Sequence, residues 1–230
     1  DTATTEIYTL SLHDALPSTL RIALAWRTPL GKPLIEAQRK QAVLETAERL
    51  SALGHRVEVT DPPLGFAPSP QFLVRYLLGV ADDVATVPNP EWLELRTRKI
   101  AWMGRRLSDG VLNRMRAAES ELDSRMRTFF DHVDVVLQPG WTARQPRIGR
   151  YHGRGAAATL AGVSLGIPYF PTWNVLGYPV AAVPVGRDSV GLPIGVQLIG
   201  PAHSERLLLS LAGQYERAHP WSGDRPLLAG

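Results

Sequence analysis

The sequence predicts an α/β fold, in which short strands and longer helices alternate along the chain. Short apolar runs bounded by turn residues recur and are typical of strands. The segments between them repeat apolar residues at helical spacing, and no segment is an internal repeat of another. With 44% apolar and 20% charged residues over 230 positions, the composition is that of a chain able to bury a core.

The first unit is predicted to be a strand, a helix and a second strand. RIALAW at 21–26 is a short apolar run that predicts a strand. Residues 36–54 repeat apolar positions at helical spacing, with Gly54 where a helix C-cap is expected. HRVEVT at 55–60 predicts the second strand. A strand–helix–strand unit of this kind is typical of a parallel crossover.

The middle of the chain is predicted to be helical to about residue 131. The last of these helices carries one apolar face, formed by Leu122, Met126, Phe129 and Phe130. Its opposite charges at i,i+4 spacing predict a solvated face, with Glu121 paired to Arg125 and Asp123 to Arg127.

The remaining elements are a strand, a helix of small residues, two strands joined by a tight turn, and a final helix. They are predicted at 133–140, 156–166, 180–200 and 204–219. Pro168 follows the small-residue helix and is expected to stop it, and Ser204 is the predicted N-cap of the final helix.

Composition argues against several classes of protein. The chain has no cysteine, which excludes disulfides and thiolate metal sites and fits a cytoplasmic location. No apolar run is long enough to cross a bilayer, so we expect no membrane partner. The net charge of +3 comes largely from arginines scattered among acidic residues, and we therefore expect no nucleic-acid partner.

Three motifs that suggest chemistry have simpler explanations. GVSLG at 162–166 matches the nucleophile elbow, with Asp188 and His203 following in order, but an elbow needs a strand before the serine. Here a helical stretch precedes Ser164, so we expect this serine to be packed near a helix C-terminus. LGKP at 30–33 lacks the upstream glycine of a phosphate-binding loop and is predicted to be a turn.

The histidines give no support to a metal site. None of the six forms an i,i+4 pair or an H-x-x-E-H cluster. His55 and His132 are expected to be polar caps at the boundaries of elements.

The most informative stretch is 171–221. An Asn is followed by Gly-x-Pro, Val-Pro-x-Gly, Gly-Leu-Pro-x-Gly-x-Gln and a leucine-rich helix ending in Pro-Trp. The matching residues are Asn174, Gly177, Pro179, Val183, Pro184, Gly186, Gly191, Leu192, Pro193, Gly195, Gln197, Pro220 and Trp221. This stretch resembles the C-terminal part of the amidase signature family. Residues 20–26 with 51–63, and residues 129–140, look like preceding elements of the same family, so the resemblance covers about residues 20–225 in consistent order.

The resemblance implies part of the amidase-signature fold, a mixed β-sheet covered by helices, and an enzyme that hydrolyses carboxylic amides. Enzymes of the family use a Ser nucleophile, a second Ser in a cis peptide and a Lys, all from an upstream Gly/Ser-rich region. No such region occurs here, and Lys32, Lys40 and Lys99 lie in other contexts. We therefore assign no catalytic residue, no cofactor and no metal, and expect this C-terminal fragment to be inactive alone.

Four residues are candidates for substrate binding in the completed enzyme: Trp173, Asn174, Pro139 and Gly140. Trp173 and Asn174 are expected in a loop bordering the active-site cleft, because ligands bind at strand ends in α/β proteins. The sequence leaves open whether Trp173 is core or pocket wall. It favours a structural role for Asn174. Pro139 and Gly140 form the family's proline turn after a strand.

The opening segment 1–17 has no structural period. Reverse translation gives codons that resemble a widely used sequencing-library adapter, in frame throughout. We therefore expect residues 1–19 to be a non-native, unstructured extension and 20–230 to be the C-terminal portion of a single amidase domain.

Two other interpretations remain open at this stage. One is a fragment of an amidotransferase A subunit, although Ile167 stands where those proteins carry an Asp seven residues before Asn174. The other is a non-catalytic α/β binding domain. A small-molecule amide is the expected partner of the whole enzyme, and a homodimer is left open.

Overall fold

The computed structural model describes residues 18–65 and 68–221, in which five strands form one mixed sheet. The strands are β1 (Arg21–Leu24), β2 (Arg56–Val59), β3 (Val135–Pro139), β4 (Val180–Arg187) and β5 (Pro193–Ile199). Their order is β2-β1-β3-β5-β4; β1 is parallel to β2 and β3, and β5 is antiparallel to β3 and β4. The predicted parallel crossover, the tight β4–β5 connection and the mixed α/β class are confirmed. The opening segment 1–17 lies outside the described residues.

Helices connect the strands and cover the sheet. They are α1 (Ala37–Ala52), α2 (Pro68–Thr86), α3 (Leu95–Gly104), α4 (Asp109–Phe130), α5 (Ala156–Gly166), α6 (Pro171–Leu176) and α7 (Glu205–Ala218), with a 3₁₀ turn at Pro90–Trp92. Among the described residues, no helix is both long and apolar enough to cross a membrane.

One face of the sheet packs against α1 and α7. Side chains alternate along a strand, so Ile22 and Leu24 of β1 lie on this face. The apolar stripe of α1, which includes Val43 and Leu50, packs against them, and Leu211 of α7 belongs to the same cluster. The apolar residues at helical spacing in α1 and those that alternate in β1 thus belong to the same core.

The opposite face packs against α4 and α6. Leu122, Met126 and Phe130 are buried there, and Phe129 is partly buried, which confirms the predicted apolar face of α4. Of the two ion pairs predicted on the opposite face of α4, one forms and the other does not. Asp123 accepts a 2.8 Å hydrogen bond from Nε of Arg127, but the Nε of Arg125 is buried without a hydrogen-bond partner instead of pairing in solvent with Glu121.

Helices α2 and α3 pack closely because α3 ends in glycine. A Cβ placed at Gly104 would lie 2.1 Å from the carbonyl oxygen of Leu77 and 2.9 Å from the Cβ of Ala81. Only a residue without a side chain permits this approach. The contact sets the spacing of two helices that line the cavity described below.

A buried ion pair ties α1 to the β4–β5 turn and to the loop after β3. Nε of Arg144 donates to Asp188 at 2.8 Å, and Arg39, almost fully buried, lies 4.0 Å from the same carboxylate. Burial alone would raise the pKa of Asp188. The hydrogen bond from Arg144 and the backbone N–H groups of Leu192 and Val190 outweigh it, so the pKa is lowered.

His55 does more than cap an element. It lies between α1 and β2, as predicted, but it is buried. Its Nδ1 accepts a hydrogen bond from the backbone N–H of Leu20, so Nε2 carries the proton and donates to Gln214 Oε1 at 2.8 Å. His55 therefore bonds the start of β1 to α7. His132, by contrast, is exposed just after α4.

Ser204 occupies the N-cap position of α7, but its side chain does not cap the helix. The hydroxyl donates to the carbonyl of Pro201 at 2.6 Å instead of accepting from an N–H of the first turn. The prediction of the position was right and that of the side-chain cap was wrong.

Candidate substrate-binding site

Trp173, the first predicted site residue, lies in the core under the sheet. It belongs to α6 and not to a loop, because Pro171 starts a helix that Gly177 ends in the left-handed region with φ 67°. The side chain is 2% exposed, and its indole Nε1 donates to Gln138 Oε1 at 2.8 Å. The ring also packs beside Tyr178.

Asn174 lies next to Trp173 on α6, where it is exposed. The prediction that it sits in a loop was therefore wrong for the same reason. Its exposed amide is available to a ligand or to another chain segment. A role in substrate binding remains a prediction.

Pro139 and Gly140 are buried where β3 ends. The Pro139 carbonyl accepts a hydrogen bond from Gln197 Nε2 at 2.9 Å, and the Gly140 N–H donates to the Gly195 carbonyl. A Cβ at Gly140 would lie 2.8 Å from that oxygen, so the position accepts only glycine without rearrangement. These contacts hold β3 against β5.

A cavity of about 620 Å³ lies beyond the carboxyl end of β1, and we call it the apolar pocket. None of the four predicted residues lines it. Its walls come mainly from α2, α3 and α5, with Phe72, Leu73, Tyr76, Ile100, Leu160 and Val163 as the large apolar side chains. Its rim includes the turn at 28–31, which follows β1.

The turn at 28–31 overlaps the LGKP motif at Leu30 and Gly31, where the predicted turn is confirmed. Thr28 and Gly31 exchange backbone hydrogen bonds of 2.8 and 2.9 Å, and Gly31 has φ 98°. Just before the turn, the hydroxyl of Tyr169 donates to the carbonyl of Trp26 at 2.8 Å. Burial, followed by the nearby charge of Asp61, raises the pKa of Tyr169, so this hydroxyl keeps its proton at neutral pH.

Helix α5 is fixed to the sheet by the segment that follows β3. The N–H of Thr142 donates to the carbonyl of Gly166 at 3.0 Å, and its hydroxyl donates to the carbonyl of Leu165 at 2.8 Å. Trp141 lies close to Gly166, where a Cβ would come within 2.8 Å of the indole ring. The pocket wall is therefore positioned by the carboxyl end of a central strand, which is where α/β sheets place ligands.

Ser164 lines the apolar pocket but does not form a nucleophile elbow. It lies in the last turn of α5, near the helix C-terminus as predicted, but it is exposed, so the prediction that it is packed was wrong. Asp188 is engaged by Arg144 and by the backbone of its own turn, and no hydrogen bond joins Ser164 to Asp188 or His203 in the described part of the chain. Without a hydrogen bond to either of these groups, the hydroxyl lacks the activation that a triad gives its nucleophile.

Among the described residues that line the pocket, Arg96 of α3 carries the charged side chain. Its guanidinium donates to the carbonyl of Tyr151 at 3.2 Å and to Glu94 at 2.7 Å, with a longer contact of 3.4 Å to the hydroxyl of Thr159. The pocket is thus an apolar space with a few fixed polar groups, the usual composition of a small-molecule site.

Sequence reasoning missed this pocket because its walls come from segments far apart in the chain. Two signals in the sequence could have indicated it. The run AAATLAGVSLG has almost no polar residue with which to face water, and Gly104 ends a helix within a predicted helical region.

Comparison with known proteins agrees with this architecture. The Amidase family model matches residues 6–209. The putative amidase AmiB2 of Mycobacterium tuberculosis (strain ATCC 25618 / H37Rv) is 43% identical over 211 residues, which cover 91% of this chain and 46% of that protein. The putative amidase AmiA2 of the same strain is 35% identical over 213 residues, covering 91% and 44%.

Solved structures share the fold. A 6-aminohexanoate cyclic dimer hydrolase complexed with substrate superposes with a TM-score of 0.81 at 22% identity, over 97% of this chain and 50% of that one. A bacterial aryl acylamidase of the amidase signature family gives 0.73 at 19% identity, over 96% and 49%. The chain spans slightly less than half the length of its sequence relatives. With a family model matched across most of its length and the same mixed sheet, the chain belongs to the amidase family.

Proposed function

We propose that this chain is the C-terminal, substrate-holding part of an enzyme that hydrolyses carboxylic amides. The catalytic Ser, bridging Ser and Lys are then supplied by an upstream segment outside this chain. Family membership and the amidase names of the sequence relatives support the reaction class. The sequence relatives are about twice as long as this chain, which supports a division of labour between this substrate-holding part and a separate catalytic segment.

The observation that carries the proposal is the apolar pocket at the carboxyl end of the central strands. A volume of about 620 Å³ exceeds the needs of acetamide and suits an amide with an aryl or branched apolar portion. The described wall residues bind and orient such a molecule but offer no activated nucleophile, since no hydrogen bond joins Ser164 to Asp188 or His203 in the described residues.

Helix α5 supports the contribution of a further segment. It is apolar on every side apart from Thr159 and Ser164, and such helices are normally buried. Here Ala156 is its only buried residue, and Leu165 is 78% exposed. A catalytic segment packed on the outer side of α5 would bury this helix and bring a nucleophile to the pocket.

The expected setting of the enzyme follows from composition. Absence of cysteine fits a reducing compartment, so we propose a cytoplasmic location. We propose a small-molecule amide as the partner and keep a homodimer as an open expectation.

The test is to clone the gene with its genomic upstream sequence and to measure amide hydrolysis as ammonia release. We expect the extended protein to hydrolyse 4-phenylbutyramide with a higher kcat/KM than acetamide, because a pocket of this size gives the larger molecule more contact. Absence of hydrolysis of any carboxylic amide by the folded extended protein would refute the proposed reaction.

A further inference from the structure

A second cavity, of about 420 Å³, adjoins the apolar pocket, and we call it the basic cavity. The two share Arg96 and Tyr151 in their walls. Three cationic side chains line the basic cavity, from Arg96, Lys99 and Arg154, together with His152 and the single carboxylate of Glu94. A molecule longer than the apolar pocket could extend past Arg96 into it.

The charges in the basic cavity do not cancel. The guanidinium of Arg96 is paired with Glu94 at 2.7 Å and is held by the Tyr151 carbonyl. Over residues 18–65 and 68–221, neither Lys99 nor Arg154 forms an ion pair with an acidic side chain. Two positive charges therefore face a cavity whose neighbour is apolar.

We propose that the basic cavity binds the carboxylate of a substrate whose apolar body and amide occupy the apolar pocket. The substrate class is then the monoamide of a dicarboxylic acid, in which a hydrocarbon body separates the amide from the anionic group. Lys99 and Arg154 bind the carboxylate, and Arg96 forms the wall between the two cavities. This inference rests on the proposed function, since it assigns substrate to the same site.

The arrangement satisfies both ends of such a molecule. A carboxylate bound by Lys and Arg forms charge-assisted hydrogen bonds, which are stronger than neutral ones. The hydrocarbon body moves from water into the apolar pocket, and this burial of apolar surface also favours binding. A neutral amide of the same length would gain only the second contribution, so the charge selects between two otherwise similar ligands.

Isothermal titration calorimetry of the 230-residue chain with a matched pair of ligands tests the inference. The pair is the monoamide of sebacic acid and the methyl ester of that monoamide. We expect the acid to bind about tenfold more tightly than the ester at low salt, a difference of roughly 1.4 kcal/mol. This preference should shrink as sodium chloride is added, because exposed charges are screened, while binding of the ester should not weaken.

Two variants separate the cavity from general surface charge. Exchanging both cations, Lys99→Met with Arg154→Met, should reduce binding of the acid to that of the ester. Arg98→Met removes one charge from the same helix as Lys99 but outside the cavity lining, and it should leave the preference intact. Both target side chains are exposed, so these changes leave the core untouched.

Each outcome decides the matter. If the ester binds and the acid gains no advantage, or if the double variant keeps the advantage, the carboxylate site is wrong while the apolar pocket stands. If neither ligand binds, the pocket is wrong and the inference falls with it. A preference lost equally in Arg98→Met would assign it to the general charge of the surface and would also overturn the inference.

Discussion

Replacing Trp173 by Phe separates a core role from a pocket-wall role for this residue. Its indole Nε1 lies 2.8 Å from Gln138 Oε1, and the two side chains are 2% and 1% exposed. Phe removes the donor and strands a buried amide oxygen, which costs about 1–3 kcal/mol, and the smaller ring forfeits about 1 kcal/mol more of apolar burial. We therefore expect the free energy of unfolding to fall by roughly 2–4 kcal/mol.

The assay is urea denaturation followed by far-ultraviolet circular dichroism, with Gln138→Leu completing a double-mutant cycle. Because Leu strands no amide oxygen, the double variant should be more stable than the sum of the single changes predicts, by about 1–3 kcal/mol. A loss below about 0.5 kcal/mol with additive effects would refute the reasoning. So would unchanged stability combined with weaker binding of 4-phenylbutyramide, since that combination is the mark of a pocket wall.

Three further changes test other parts of the account by urea denaturation. Gly104→Ala forces the α2 backbone away, and we expect the free energy of unfolding to fall by about 2 kcal/mol. Its matched control is Gly79→Ala on α2, where the added methyl group meets nothing within 4 Å and should raise the free energy of unfolding by about 0.5–1 kcal/mol. Equal effects of the two changes would contradict the close helix packing. The hydrogen bond from Arg21 lowers the pKa of Asp134 below its ordinary 3.8. The stability this contributes is present above pH 4 and is lost as the pH falls through the folded-state pKa, so Asp134→Asn should flatten the acid side of the pH profile; an unchanged profile would exclude this carboxyl. Deleting residues 1–17 should change stability by less than about 0.5 kcal/mol, and finding that segment in the source genome would contradict the adapter origin proposed for it.

The strands and most helices could be predicted because their patterns are local. The apolar residues that alternate in RIALAW pack against those that recur at helical spacing in α1. The local patterns and the tertiary packing therefore agree. The order of strands in the sheet depends on contacts between distant segments, such as the pairing of Val136 with Ile199. Periodicity does not indicate which strands pair, and the expectation of a mixed sheet came from the family resemblance.

The candidate site was less predictable, for two physical reasons. Trp173 and Asn174 lie in a run of prolines and glycines that resembles a loop, yet Pro171 and Gly177 start and end a six-residue helix. The apolar pocket depends on the closeness of α2 and α3, which one glycine, Gly104, permits. Neither the approach of two helices nor the direction of a side chain follows from spacing in a single sequence.

The most direct test of the central claim is one proton NMR time course of 4-phenylbutyramide mixed with the 230-residue chain. We predict that the amide resonances broaden because the apolar pocket binds the molecule, and that no 4-phenylbutyrate appears because the proposed function assigns the catalytic groups to a segment outside the chain. Sharp, unperturbed amide resonances would contradict the pocket. Formation of the acid that Ser164→Ala abolishes would contradict the division of labour and make Ser164 the nucleophile.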